Sequence, residues 1–253
     1  MLGAIYVMWL RELKRYTRSR AQMVASLGQP LLYLFAFGLG FGPMFARANG
    51  GGNYIQFISP GVIGMGLLFT SVFNGIGLLW DRQFGFLKET LVAPVPRLGL
   101  MIGRTLGSAS VAVIQATLVM VLCLIFGFRP ASWAQLPLAF VFMLLIALVF
   151  AGLGIAIGSV LQNMQGFQMI MTFLVMPIYF LSGAMFPIGG QNAALIAATR
   201  IDPLSYGIDG LRGVLLGPAA HAQFHWSFDM AVLCGIAVLF LALGTRMFSR
   251  IEI

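Results

Sequence analysis

Charge is what this 253-residue chain has least of. Only 9% of its residues are Asp, Glu, Lys or Arg, with seven acids against fifteen bases. A water-soluble domain carries about a quarter of its residues as charges, so this composition cannot build a water-facing surface. Lysine is reduced to Lys14 and Lys88, and neither follows a glycine. A phosphate loop of the G-x-x-x-x-G-K-[ST] type is therefore absent, and with it the means to handle a nucleotide on this chain. Two cysteines, Cys123 and Cys234, both sit inside apolar stretches and frame neither a disulfide nor a metal site. Acids and histidines suited to a proton relay are also missing from the long apolar runs, which disfavours an ion-coupled carrier.

What is present is apolar. Hydrophobic residues make up 60% of the chain and mean hydropathy is +0.95. A helix needs roughly 20 apolar residues to cross the hydrocarbon core, and charge-free stretches place six such spans. They fall at 23–44, 55–80, between Arg104 and Arg129, at 134–161, at 166–186 and at 228–247. The polar break Gln162-Asn163-Met164-Gln165 divides the charge-free run from Pro130 to Thr199 into two of them. Pro177 and Ser182-Gly183 predict that the fifth is bent or broken. With an even number of spans both termini share one side. Eleven bases fall on that side and four on the other, which puts both termini in the cytoplasm by the positive-inside rule. The fold class expected is an all-α polytopic membrane protein, a single transmembrane domain over 1–253. The net charge of +8 then reads as a topology signal, with no nucleic-acid partner.

Residues 1–20 are expected to form a helix lying in the cytoplasmic interface. Ile5, Trp9, Leu13 and Tyr16 share one face, and Arg11, Lys14, Arg15 and Arg18 share another, turned toward anionic headgroups of membrane lipids. In the inner loop 81–104, a short helix from Arg82 to Leu91 is expected before the Ala93-Pro94 and Val95-Pro96 pairs end it. Phe84, Phe86, Leu87 and Leu91 give it apolar knobs; Arg82, Lys88 and Glu89 give it charge. That combination suits docking on a protein partner. The outer segment 189–229 carries apolar helices too short to cross, which reads as re-entrant structure before the last span. Asp209 and Arg212, three apart, could pair on one face. His221, His225 and Asp229 share a spacing of four, but so partial a ligand set reads better as an exposed interfacial cluster than as a metal site.

Three stretches carry a resemblance: KETLVAPVPRLGLMIGRTL (88–106), PIYFLSGAMFPI (177–188) and IDPLSYGIDGLRGVLLG (201–217). Together with the order of spans they resemble the bacterial type-2 ABC transporter permeases, in the branch of the nodulation-factor and daunorubicin-resistance exporters. The likeness implies a non-enzymatic subunit of an exporter in the bacterial inner membrane. Two permease copies would enclose the pathway, and two separate ATP-binding subunits would carry ATP and Mg. It also implies that 82–91 is the coupling helix, with Glu89 at the family's acidic position, and that 1–20 is the interfacial gate helix. Pro203, Tyr206, Asp209 and Arg212 would belong to the short helices near the outer gate. The expected cargo is amphipathic or lipid-linked: a drug, a lipo-oligosaccharide or a glycan-lipid. A secondary carrier working without an ATPase, and a membrane anchor without transport, are the competing readings.

Overall fold

A computed structural model describes residues 1–48, 53–86, 95–161, 163–185, 193–217 and 222–249. Among these the secondary structure is helical throughout. In chain order the helices are α1 (Leu2–Arg18), α2 (Arg20–Ala48), α3 (Tyr54–Phe73), α4 (Ile76–Gln83), α5 (Arg97–Ile125), α6 (Leu136–Val160), α7 (Met164–Ile170), α8 (Met176–Leu181), α9 (Ala193–Ile201), α10 (Pro203–Leu216) and α11 (Trp226–Ser249). A π-helical turn, Met171–Val175, joins α7 to α8.

Capping chemistry sets the starts. Asn53 accepts the Ile55 N–H through its side chain at 3.0 Å, Asn163 accepts Gly166 N–H at 2.7 Å, and Asp202 accepts Leu204 N–H at 2.9 Å. Each satisfies one of the donors a helix leaves unpaired at its first turn. Pro203 follows Asp202 at a position where its missing N–H costs nothing. At the other end of α10, Gly217 takes φ 58° and stops the helix. The π turn has its cause in Pro177, whose ring would clash with the carbonyl of residue 173 in a regular helix; the wider turn relieves that clash. The bend expected in the fifth span is therefore a π turn.

Among the described residues, five helical stretches are long and apolar enough to cross a membrane: Tyr54–Gln83, Arg97–Ile125, Trp133–Val160, Met164–Leu181 and Trp226–Phe248. They match the second to sixth expected spans. The expectation of six is thus met by five, and the first span falls on α2. In the most apolar 18 residues of each stretch, 72% are buried inside the chain for Tyr54–Gln83, whereas 22% are for both Met164–Leu181 and Trp226–Phe248. The first is the bundle's core; the other two present most of their surface outward.

Helix contacts are close enough to exclude side chains. A Cβ on Gly75, at the break between α3 and α4, would run into the Gly154 carbonyl oxygen of α6, and one on Gly154 would lie 2.6 Å from the Val72 carbonyl oxygen. Small residues at such crossings let backbones touch and gain dispersion contacts that lipid cannot match. Along α3, α5 and α6, Ile58, Val62, Leu67, Val119, Phe142, Ile146 and Phe150 belong to one fully buried apolar core. Helix α10 lies antiparallel beside α6, with Gly210 against Phe142 and Gly207 against Ile146. Its first residues therefore reach the middle of α6, while the Ala131 N–H bonds the Leu215 carbonyl at 2.8 Å near the start of α6.

Candidate functional site

Charged side chains gather at one end of the bundle, where α1, α4 and α5 meet. Helix α1 lies on a glycine stripe of α5: a Cβ on Gly103 would come within 2.7 Å of the Ile5 carbonyl oxygen, and one on Gly107 within 2.7 Å of the Glu12 Cβ. Trp9 Nε1 donates to Ser110 Oγ at 3.0 Å and fixes the register. The face of α1 turned to the protein carries Met8, Glu12 and Tyr16. This is rotated from the Ile5–Trp9–Leu13–Tyr16 face expected from spacing, and it takes an acid into the contact.

Around Glu12 the ions are matched closely. Glu12 and Arg104 are each 2% exposed and Asp81 6%. Asp81, near the end of α4, accepts Arg11 Nη2 at 2.6 Å on one oxygen and Arg104 Nη1 at 2.8 Å on the other. Arg15 Nη2 donates to Glu12 Oε2 at 2.6 Å. Three guanidiniums thus surround two carboxylates drawn from three helices. Arg11 and Arg15, expected to face headgroups, turn to these acids; Lys14 and Arg18 are exposed. Val7, Leu10, Arg11, Lys14, Arg15 and Arg18 line a groove of about 620 Å³ on the outer side of α1.

The residues expected to form the coupling helix divide. Helix α4 ends at Gln83, and Gly85 takes φ 80° to turn the chain. The helical stretch expected from Arg82 is interrupted by this turn, and Phe86 is helical again beyond it. Phe84 and Phe86 are 72% and 54% exposed. Arg82 faces inward instead: its guanidinium donates to the Leu161 carbonyl at 3.0 Å and the Ser159 carbonyl at 3.3 Å. Those are carbonyls that the end of α6 leaves open, where a cation also suits the helix dipole. Leu87, Lys88, Glu89 and Leu91 lie outside the described residues.

At the opposite end, Asp209 and Arg212 do not pair, contrary to their spacing. Asp209 accepts the backbone N–H groups of Gln223 and Phe224 at 2.9–3.0 Å. Arg212 points inward, with its Cζ 4.2 Å over the Phe57 ring and Nη2 donating to the Gly183 carbonyl at 3.1 Å. Two opposed faces of a three-residue step were available, and the loop and the core took one each. Tyr206 stacks with Phe224 at 5.9 Å and donates to the Arg200 carbonyl at 2.7 Å. Pro203 opens α10 behind buried Asp202, whose carboxylate also accepts the Ser205 hydroxyl at 3.2 Å. Of the His221–His225–Asp229 cluster expected to be exposed, His225 is exposed and Asp229 is not. Asp229 is fully buried with neither oxygen hydrogen-bonded, and His225 Nδ1 lies 2.7 Å from Ser227 Oγ. No group of three metal-binding side chains occurs among the described residues; His221 lies outside them.

The family description "ABC-2 type transporter" matches residues 3–216, from α1 to the end of α10. The chain belongs to the ABC-2 type transporter permease family. Relatives cover nearly all of it. Nodulation protein J of Rhizobium meliloti (strain 1021) is 30% identical over 233 residues, 91% of this chain and 86% of that protein. Nodulation protein J of Rhizobium leguminosarum bv. trifolii is 28% identical over 247 residues, 97% and 90% of the two chains. The ycf38 transport permease of Cyanophora paradoxa is 24% identical over 255 residues, 98% and 88%. An ABC-2 permease is a membrane transport protein, and membership implies in general an ATP-binding partner. Both the ion cluster and α10 fall within the matched residues. Sequence reasoning missed Glu12 and the role of Asp81; the signal was the Gly99-x-x-x-Gly103-x-x-x-Gly107 stripe, which marks a helix contact.

Proposed function

We propose that this permease is the membrane subunit of an ATP-driven exporter whose cargo is amphipathic or lipid-linked, and that its partner acts on the segment following α4. The observation that carries the reading is the anchorage of α4. Asp81 ties it to α1 and α5, and Arg82 ties it to the end of α6. A push on the chain beyond Gly85 would therefore reach three other helices at once. Exposed Phe84 and Phe86 fit apolar knobs in a partner's cleft, with Glu89 as the acidic contact. In this account α2 is the sixth span; 29 residues at about 1.5 Å each are long enough. The termini are cytoplasmic in a bacterial inner membrane, α1 lies in the interface, and Lys14 and Arg18 face anionic lipid. Helices α9 and α10 are re-entrant, near the outer gate. Two copies of the chain and two ATPase subunits complete the machine, and ATP with Mg binds the ATPases alone.

The test is co-purification with the ATPase partner, then export from vesicles. Glu89→Ala is expected to leave membrane insertion intact while export per ATP hydrolysed falls by about tenfold, a coupling change of ordinary size. Unchanged export and coupled hydrolysis would end the assignment. One observation favours a secondary carrier: Asp229, a fully buried acid in the first turn of α11 with no hydrogen-bond partner. Ion-gradient-driven uptake by the chain alone would support that reading.

A further inference from the structure

Arg104 lies between two acids and is bonded to only one of them. Its Nη1 donates to Asp81 at 2.8 Å, while Nε and Nη2 make no hydrogen bond although both are buried. Opposite Nε, in a long ion pair of 4.0 Å, stands Glu12 Oε1, also buried and also without a hydrogen bond. Donor and acceptor face each other about 1 Å beyond hydrogen-bond range. Buried polar groups are rarely left so, and each of these two is what the other lacks. The second oxygen of Glu12 is already held by Arg15, so the carboxylate is aimed. Gly77 of α4 supplies room: a Cβ there would meet Arg15 Nη1 at 2.8 Å and Arg104 Nη2 at 3.1 Å.

We propose that Arg104 is a switch residue that exchanges Asp81 on α4 for Glu12 on α1 as the permease passes between its two states. In the structure described, α4 holds Arg104. When the segment beyond α4 is moved by a partner and Asp81 withdraws, Arg104 closes the gap to Glu12 and α1 takes over the contact. The charge stays compensated in both arrangements, so the cluster has two discrete positions in place of one made and one broken state, the kind of element that carries coupling. The inference rests on the coupling reading above but adds the acid that receives Arg104.

The experiment uses the full complex in lipid nanodiscs, with spin labels at Tyr6→Cys on α1 and Gln83→Cys on α4, both exposed, in a Cys234→Ser background. With one labelled copy per complex, a single α1–α4 distance is expected without nucleotide, and ATP with vanadate populates a second. Glu12→Asp keeps the charge but shortens the reach, and is expected to reduce the second population at least about fivefold, with export per ATP falling in step. A merely structural charge would tolerate that change. Asp81→Asn frees Arg104, and is expected to give the second distance in the isolated permease without nucleotide. If Glu12→Asp leaves both populations and the coupling ratio unchanged, the exchange is wrong. So it is if Asp81→Asn, folded and monodisperse, leaves the first distance in place. Should the wild-type complex hydrolyse ATP with no change in distance, the coupling reading fails, and the nucleotide-free Asp81→Asn result still decides the exchange. Should Asp81→Asn not accumulate in the membrane, Glu12→Asp decides it.

Discussion

The two ends of this bundle are held by different physics. At the α1–α4–α5 end, three guanidiniums and two carboxylates from three helices hold one another over a glycine stripe. At the α10 end, backbone contact and one arginine over an aromatic ring do the work, with Gly207 and Gly210 of α10 against Ile146 and Phe142. Ion clusters of this kind have alternative pairings, because a donor can change acceptors at little cost when both remain charged. Close-packed backbone has no such choice, since the interior is too dense to deform by degrees. The first end is thus built to move and the second to keep its shape.

Breaking the ion cluster should have the largest effect. Asp81→Ala leaves Arg104 buried without its carboxylate and frees Arg11, an error that costs about 3–5 kcal/mol in buried pairs. Denaturation of the purified permease in mixed micelles should show that loss, and a loss below about 1 kcal/mol would mean the cluster is well solvated.

A pair of glycine substitutions separates the ends. Gly103→Ala pushes on the α1 backbone, and Gly210→Ala pushes on the Phe142 ring; overpacking of either kind costs about 1–3 kcal/mol. The stripe variant should loosen α1 alone, seen as faster amide exchange confined to residues 2–18. The α10 variant should lower the stability of the whole bundle. Equal, global effects from both would erase the distinction between the ends.

Much of this was legible in the sequence. Runs without charge mark spans because charge cannot be placed in hydrocarbon, and Pro177 announces a distorted fifth span for steric reasons. Side-chain partners were not legible in the same way. Spacing alone paired Asp209 with Arg212, but a three-residue step only permits a contact, and nearby N–H groups in residues 223–224 outcompeted the guanidinium. Arg82 read as a surface charge because nothing local shows that the end of α6 arrives beside it. Glu12 looked incidental on a basic helix, since the guanidinium it faces across the helix contact, Arg104, is 92 positions away in the chain. The glycines at 99, 103 and 107 carried that information, as a stripe on which only a closely packed helix could rest.

The most direct test of the claim that motion enters at the ion-paired end is export per ATP hydrolysed, measured in proteoliposomes containing the complete complex. Gly103→Ala should keep hydrolysis while the ratio falls by about tenfold. Gly210→Ala should reduce the amount of folded complex yet leave the ratio within about twofold of wild type, since less than half a kcal/mol of coupling would be touched. A ratio that falls with Gly210→Ala and holds with Gly103→Ala would contradict the account.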